Sequence, residues 1–152
     1  MTNNDIFRRL RFIENINEAE LQKIIEIHDK QVDLPQISQW LERDDSETYE
    51  FMKDKDLSNF LNGLITTKRG QKQGDTPVIE DNLTNNIRLK KISIAYSLRS
   101  EDVIEVLKLV NFRLGKSELS AFFRRPDHKN YRECKDQVLR NFLNGLQKKI
   151  CK

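Results

Sequence analysis

The six residues Asn59–Leu64, NFLNGL, return without a change at Asn141–Leu146. The copies lie 82 residues apart, and that offset carries across the 152-residue chain without a gap. Asn3-Asn4 falls on Asn85-Asn86, Ser38 on Ser120, Arg43 on Arg125, Asp45 on Asp127 and Tyr49 on Tyr131. Lys53-Asp54 falls on Lys135-Asp136, and Leu57 on Leu139. Where identity fails, polarity mostly survives: Leu10, Phe12 and Ile16 meet Ile92, Ile94 and Leu98, and Ile37, Trp40 and Leu41 meet Leu119, Phe122 and Phe123. A gapless register that also preserves the apolar pattern marks a duplicated structural unit.

The duplication sets the expected domains: a first repeat over 1–69, a linker over 70–84 and a second repeat over 85–152. The linker, GQKQGDTPVIEDNLT, holds two of the five glycines and one of the three prolines, which is turn and loop chemistry. Hydrophobic residues are 37% of the chain, enough for only a modest core. A unit of half this length buries only about 60% of its unfolded surface, so the halves are expected to gain by packing together.

Each repeat reads as a set of short helices, and no alternating strand pattern of useful length occurs. The expected fold is all-α, with two similar multi-helix repeats related by a pseudo-twofold. Asn4 is placed as the N-cap of a helix carrying Ile6, Phe7, Leu10 and Ile13, the stripe of a buried face. Asn17, followed by Glu18 and Glu20, caps a second helix, and Ser100 is its counterpart. A third helix starts near Pro35, and near Lys116-Ser117 with Ser117 as cap. The polar stretches RDDSETYEFMK and RPDHKNYRECK are expected to be loop and a short helix. The last helix opens at Asp54 or Asp136, and the first copy stops at Gly70.

Gly63 and Gly145 sit inside these last helices, where glycine costs about 1 kcal/mol relative to alanine. Close approach of another helix, where a Cβ would clash, offsets that cost. Phe60, Leu64, Phe142 and Leu146 line the same apolar stripe, so the two hexapeptide helices are expected to pack centrally, against each other. The competing reading makes Asn59, Asn62, Asn141 and Asn144 the lining of a ligand site beside bare backbone.

The net charge is +3, but it is unevenly spread. Residues 1–68 hold nine Lys/Arg against fourteen Asp/Glu, and residues 85–152 hold sixteen against seven. Such asymmetry points to a partner, or to attraction between the halves. The densest cationic stretch is FFRRPDHKNYRECK, with Arg124, Arg125, His128, Lys129, Arg132 and Lys135. Its first-repeat counterparts are Glu42, Arg43, Ser46, Glu47, Glu50 and Lys53, so the positive charge belongs to the second copy rather than to the fold. Arginine forks hold phosphates and Tyr131 stands nearby for stacking. Lys90, Lys91 and Arg88 extend the patch if the first helix of the repeat lies alongside. The bland reading is a solvated surface, or one neutralised by the acidic first half. Val103–Phe112, a turn with Gly115 and Ser117–Arg125 have a partial helix-turn-helix look. The recurrent Arg, Asp and Tyr are read as loop geometry: Asp capping a turn, Arg paired, Tyr docked with its hydroxyl bonded.

His128 and Cys134 lack the paired spacing of a metal site, no phosphate-loop or dinucleotide fingerprint is present, and no third group orients a Cys–His pair. The expectation is no enzyme, no metal and no cofactor. His28 is read as structural. The polar opening MTNNDIFRRLRF is not a secretory segment, and no apolar run reaches the roughly 18 residues of a membrane span. A cytoplasmic protein with reduced thiols and no membrane contact is expected.

NNDIFRRLR and NNIRLKKISIAYSL, with FLNGL and RRPDHKNYRECKDQVLRNFL, resemble the YehS-like family of small bacterial proteins, over nearly the whole chain. The resemblance implies a helical, duplicated, non-secreted bacterial protein. It implies no catalytic residues, since that family carries a domain of unknown function. The resulting functional expectation is a non-enzymatic binding module whose basic second repeat contacts nucleic acid or another acidic partner. The runner-up is a protein-interaction or self-assembly module in which acidic first repeats meet basic second repeats.

Overall fold

Thr2, rather than Asn4, starts the first helix. Its hydroxyl accepts the Asp5 N–H at 3.1 Å, and the Asp5 carboxylate takes the Thr2 N–H at 2.9 Å, a reciprocal capping box. Partial burial pushes the Asp5 carboxyl up, but the Thr2 N–H and hydroxyl, with Arg8 at 2.6 Å, outweigh it and hold the group below its ordinary value. The computed structural model describes residues 1–28, 31–70 and 77–151. Its described residues are all-α, and they divide into two units, Met1–Leu83 and Thr84–Lys152.

The first unit contains α1 (Asn3–Glu14), α2 (Glu18–Ile25), α3 (Leu34–Leu41) and α4 (Asp54–Arg69), with a short 3₁₀ turn at Glu26–His28. The second contains α5 (Asn85–Ala95), α6 (Ser100–Lys108), α7 (Lys116–Phe122) and α8 (Asp136–Ile150). In each, the hexapeptide helix lies against the second helix of the same repeat: α4 on α2, and α8 on α6. Ile6, Phe7, Leu10, Leu21, Ile37, Leu57, Phe60 and Leu61 make the first core, with Phe7 edge-on to Phe60 at 4.8 Å. Leu89, Ile92, Val103, Val106, Leu119, Leu139, Phe142 and Leu143 make the second. Full burial of each such side chain contributes about 2 kcal/mol.

The notch in the hexapeptide is an intra-repeat feature. A Cβ on Gly63 would lie 1.9 Å from the carbonyl oxygen of Ile24 in α2, and one on Gly145 would lie 2.2 Å from that of Val106 in α6. The bare Cα therefore receives a helix backbone, as its cost required. The expectation that the two hexapeptide helices supply each other's close contact is corrected: each glycine meets the second helix of its own repeat. That helix ends just beyond the contact, so the carbonyl belongs to its last turn.

The repeated Asn-Asn pairs have a role that capping logic missed. Asn4 Nδ2 donates to Trp40 O (3.0 Å) and Glu50 O (2.8 Å), while Asn4 Oδ1 accepts the Met52 N–H at 2.9 Å. Asn86 repeats this with Phe122 O (2.9 Å), Arg132 O (2.7 Å) and Cys134 N–H (2.9 Å). Asn3 donates to Met52 O (3.0 Å) and Asp54 Oδ1 (2.7 Å), and Asn85 to Cys134 O (3.1 Å) and Asp136 Oδ1 (2.7 Å). Each pair thus clamps the loop between the third and fourth helices to the first. The Asn85 amide is also the main reason the Asp136 carboxyl lies below its ordinary value.

Other sequence expectations shift by a residue or a turn. Thr84 caps α5, its hydroxyl accepting Ile87 N–H at 3.2 Å, and Asn17 caps α2 as expected, accepting Glu20 N–H at 2.9 Å. Ser100 and Ser117 lie inside α6 and α7 rather than capping them. Asp33 caps the helix containing Pro35, accepting the Gln36 N–H at 2.9 Å. Gly70 ends α4 with φ +82°, as the stop signal required. The first helices of both repeats end at equivalent left-handed residues, Asn15 (φ 52°) and Ser97 (φ 54°). The stretches after α3 and α7 are loops without a helix.

Of the connection 70–84, residues 71–76 lie outside the described residues. Residues 77–83 lie along α4: Asn62 Nδ2 donates to Val78 O at 3.0 Å, Glu80 N–H donates to Ser58 Oγ at 3.1 Å, and Leu83 N–H donates to Asp54 Oδ2 at 2.9 Å. No helix among the described residues is long and apolar enough to cross a membrane.

Candidate functional site

The loops after α3 and α7 are built on one frame. In the first, Ser46 N–H donates to Arg43 O (3.0 Å), Tyr49 N–H to Ser46 O (3.2 Å) and Glu50 N–H to Gln39 O (3.2 Å). In the second, His128 N–H donates to Arg125 O (2.9 Å), Tyr131 N–H to His128 O (3.0 Å) and Arg132 N–H to Ala121 O (3.2 Å). All three bonds correspond at the repeat offset. The asparagine clamp adds a fourth anchor by holding the carbonyl of residue 50 or 132. The fold therefore secures these loops through their backbone and leaves residues 47, 50, 124, 129 and 132 exposed.

What the side chains do there differs in sign. In the second repeat, Arg124, Lys129 and Arg132 border an open depression of about 390 Å³, together with Ser117, Glu118, Ala121, Asn130 and Tyr131. The three cations are exposed, and none forms an ion pair among the described residues. A second depression of about 400 Å³ shares Glu118 and Arg132 and is completed by Phe122, Glu133, Lys135 and Val138. The two adjoin at Glu118 and Arg132, so the cations Arg124, Lys129, Arg132 and Lys135 border them together with the acids Glu118 and Glu133, the half-buried Tyr131 and the apolar Phe122 and Val138. In the first repeat the equivalents of Arg124, Lys129 and Arg132 are Glu42, Glu47 and Glu50.

The remaining candidates fall into place around this groove. Arg124 Nη1 stands 3.5 Å from the ring nitrogens of His128, and His128 Nδ1 accepts the Asn130 N–H at 3.0 Å. His128 thus shapes the turn. Arg125 pairs with Asp127 at 3.4 Å in the open, as Arg43 does with Asp45 at 3.9 Å, and neither aspartate caps the turn as expected. Lys135 pairs with Glu133 at 3.2 Å on the rim. Lys90 is exposed and Lys91 half-buried on α5, and neither borders the groove. The Tyr49 and Tyr131 hydroxyls make no hydrogen bond among the described residues, contrary to the expected docking; the backbone N–H groups hold these residues instead. α7 has only seven residues and the cations follow it, so they lie on a loop rather than on the second helix of the expected helix-turn-helix.

Cys134 is buried at the core position that Met52 fills in the first repeat. Burial, then the charges of Asp136 and Glu133, push its thiol up to about 12, so it is neither thiolate nor nucleophile at neutral pH. No three His, Cys, Asp or Glu side chains gather at ligating distance among the described residues. His28 Nε2 sits 2.9 Å from Thr66 Oγ1, joining the 3₁₀ turn to α4. The asparagines of the hexapeptide do not line a common site: Asn62 holds Val78, Asn141 donates to Gln137 O at 2.8 Å, and the buried Asn59 amide has no hydrogen-bond partner among the described residues.

A family model described as "Protein of unknown function (DUF1456)" matches residues 3–70 and again 85–150, one copy per repeat. A relative from Escherichia coli (strain K12), "Uncharacterized protein YehS", is 43% identical over 148 residues, covering 96% of this chain and 94% of its own. No solved structure matches the chain.

Proposed function

The chain belongs to the family of proteins of unknown function DUF1456, and from that premise we propose that it is a non-enzymatic binding module that holds nucleic acid through the loop after α7. One observation carries this reading. Arg124, Lys129 and Arg132 border an open groove that Glu118 also lines, and none of the three forms an ion pair among the described residues, on a loop whose twin carries three glutamates. The frame does not need the cations, so their presence calls for a ligand that does. Guanidinium groups offer planar paired donors to phosphate oxygens, and the exposed part of the Tyr131 ring offers a face to a base. A loop of this kind reads backbone charge rather than sequence, so binding is weakly sequence-dependent and strongly salt-dependent. The cytoplasm, where Cys134 and Cys151 remain thiols, is the compartment this reading requires.

The test is fluorescence anisotropy of a labelled single-stranded oligonucleotide. If three phosphates are neutralised, log K falls against log salt with a slope of about −2. The variant R124E/R125E/K129E/R132E should lose binding while its far-UV circular dichroism is unchanged. Undiminished retention of RNA or DNA by that folded variant overturns the proposal.

A further inference from the structure

We propose that the acidic loop after α3 is a docking element for the basic loop after α7 in a second copy of this chain. The two loops share their backbone bonds, yet Glu42 becomes Arg124, Glu47 becomes Lys129 and Glu50 becomes Arg132. Within the loop the sign inverts only at these positions: Arg43, Asp45 and Lys53 recur unchanged as Arg125, Asp127 and Lys135, while Asp44 becomes Pro126 and Phe51 becomes Glu133. The same frame therefore presents three negative charges in one repeat and three positive charges at equivalent places in the other. Glu47 and Glu50 are exposed, and their carboxylates make no hydrogen bond or ion pair among the described residues. Their counterparts Lys129 and Arg132 are equally exposed and unpaired. Glu42 is more constrained, accepting the Ser46 and Thr48 hydroxyls, and plays a smaller part.

The contact joins unlike loops, and each copy offers one acid loop and one basic loop, so two copies can bond twice about a twofold, with acid meeting basic in both directions. It extends the proposed function, because it occupies the same cations. The acid loop stands in for the phosphates of a nucleic acid, and self-association and nucleic-acid binding exclude one another. Its reality does not depend on nucleic acid being the ligand.

Nucleic-acid-free protein should be compared by sedimentation velocity at about 10 mM and about 150 mM salt, where the Debye length falls from about 30 Å to about 8 Å. The wild type should associate at low salt and dissociate toward its 18.0 kDa monomer at the higher. E47K/E50K and K129E/R132E should each weaken association about tenfold or more, and the combined reversal should restore it. These side chains make no internal hydrogen bond or ion pair among the described residues, and circular dichroism checks that each variant is folded. A wild type that stays monomeric at low salt, or a folded double reversal that fails to recover association, overturns the inference. An oligonucleotide arm separates it from the proposed function. Under both ideas E47K/E50K keeps oligonucleotide binding while losing association; a wild type that binds oligonucleotide but never associates sinks only the docking idea.

Discussion

Replacing Gly63 by alanine should destabilise the protein, although helix propensity alone says the opposite. In an unencumbered helix the change would gain about 1 kcal/mol. Here the new methyl would lie 1.9 Å from the Ile24 carbonyl oxygen, 2.8 Å from its carbonyl carbon and 3.0 Å from its Cγ2. Restoring an ordinary separation near 3.5 Å requires α2 to retreat from α4 by about 1.5 Å. The obstructing atoms are backbone, so no rotamer change relieves them. Overpacking of this kind costs about 1–3 kcal/mol, and more when a helix must move. A net loss of about 2 kcal/mol is expected. Urea unfolding followed by far-UV circular dichroism should show a lowered midpoint at unchanged m-value. A thermal scan should place the midpoint of that unit lower by about 10 °C, at about 4–8 °C per kcal/mol for a domain of this size. Gly145→Ala should behave alike, with Val106 O at 2.2 Å. Gly115→Ala is the control, because its nearest neighbour is the end of the Glu118 side chain at 3.2 Å; it should lose no more than about 1 kcal/mol, the cost of a weakened α7 N-cap. If Gly63→Ala were as stable as wild type or more so, close approach would not be the reason for the glycine.

Asn86→Asp should cost about 3 kcal/mol in urea unfolding, because a carboxylate would face the Phe122 and Arg132 carbonyls now held at 2.9 and 2.7 Å; a loss under about 1 kcal/mol would deny the clamp. Asn4→Asp should lose a similar amount through Trp40 and Glu50. Alkylation of native protein followed by mass spectrometry should modify the exposed Cys151 and spare the buried Cys134. The folded Cys134 thiol holds its proton to about 12, against 9.0 ordinarily. The unfolded chain therefore binds fewer protons between these values, and stability falls as pH rises through that window, by up to about 1.4 kcal/mol per unit. Cys134→Met should flatten that fall, and an unchanged slope would show that other groups carry it.

Much of the fold could be read because duplication supplies an internal control. The register, the apolar stripes, the start of α4 and α8, the cap at Asn17 and the stop at Gly70 are local patterns, visible within a few residues. The glycine notch was legible as a close approach, but its partner was not: a mid-helix glycine states that a backbone comes near, and nothing local says whose. Asn3-Asn4 illustrates the opposite failure. Asparagine before an apolar stripe fits a helix cap, yet Asn4 bonds residues 36, 46 and 48 positions away. A cap bond runs within one turn, whereas loop clamping is tertiary and leaves no local period. The exact recurrence of the pair in both repeats was the available signal. Of the candidate site, the charge of the loop was readable and its grouping was not. Arg124, Lys129 and Arg132 border one depression on a loop whose consecutive turns are set by bonds between Arg125, His128 and Tyr131, while Lys90 and Lys91 lie on a helix that does not border the groove.

The comparison between the repeats also separates what the fold demands from what it permits. Asn4 and Asn86, Gly63 and Gly145, and Leu57 and Leu139 are identical where a change would leave buried carbonyls unbonded, force helices apart or open a cavity. Residues 42, 47 and 50 differ in sign from 124, 129 and 132, where an exposed charge is worth no more than about 1 kcal/mol to folding. Stability is thus nearly indifferent to the inversion. A merely solvated loop would be served as well by mixed charges, which keep a surface soluble without a single-sign field. Three cations on one loop and three acids at the equivalent places of its twin instead bias the two loops toward opposite sign, and fields of that kind accelerate encounter with a complementary partner. The place to look for function is therefore where the repeats disagree, and three of those disagreements in sign gather on one loop whose backbone is already secured.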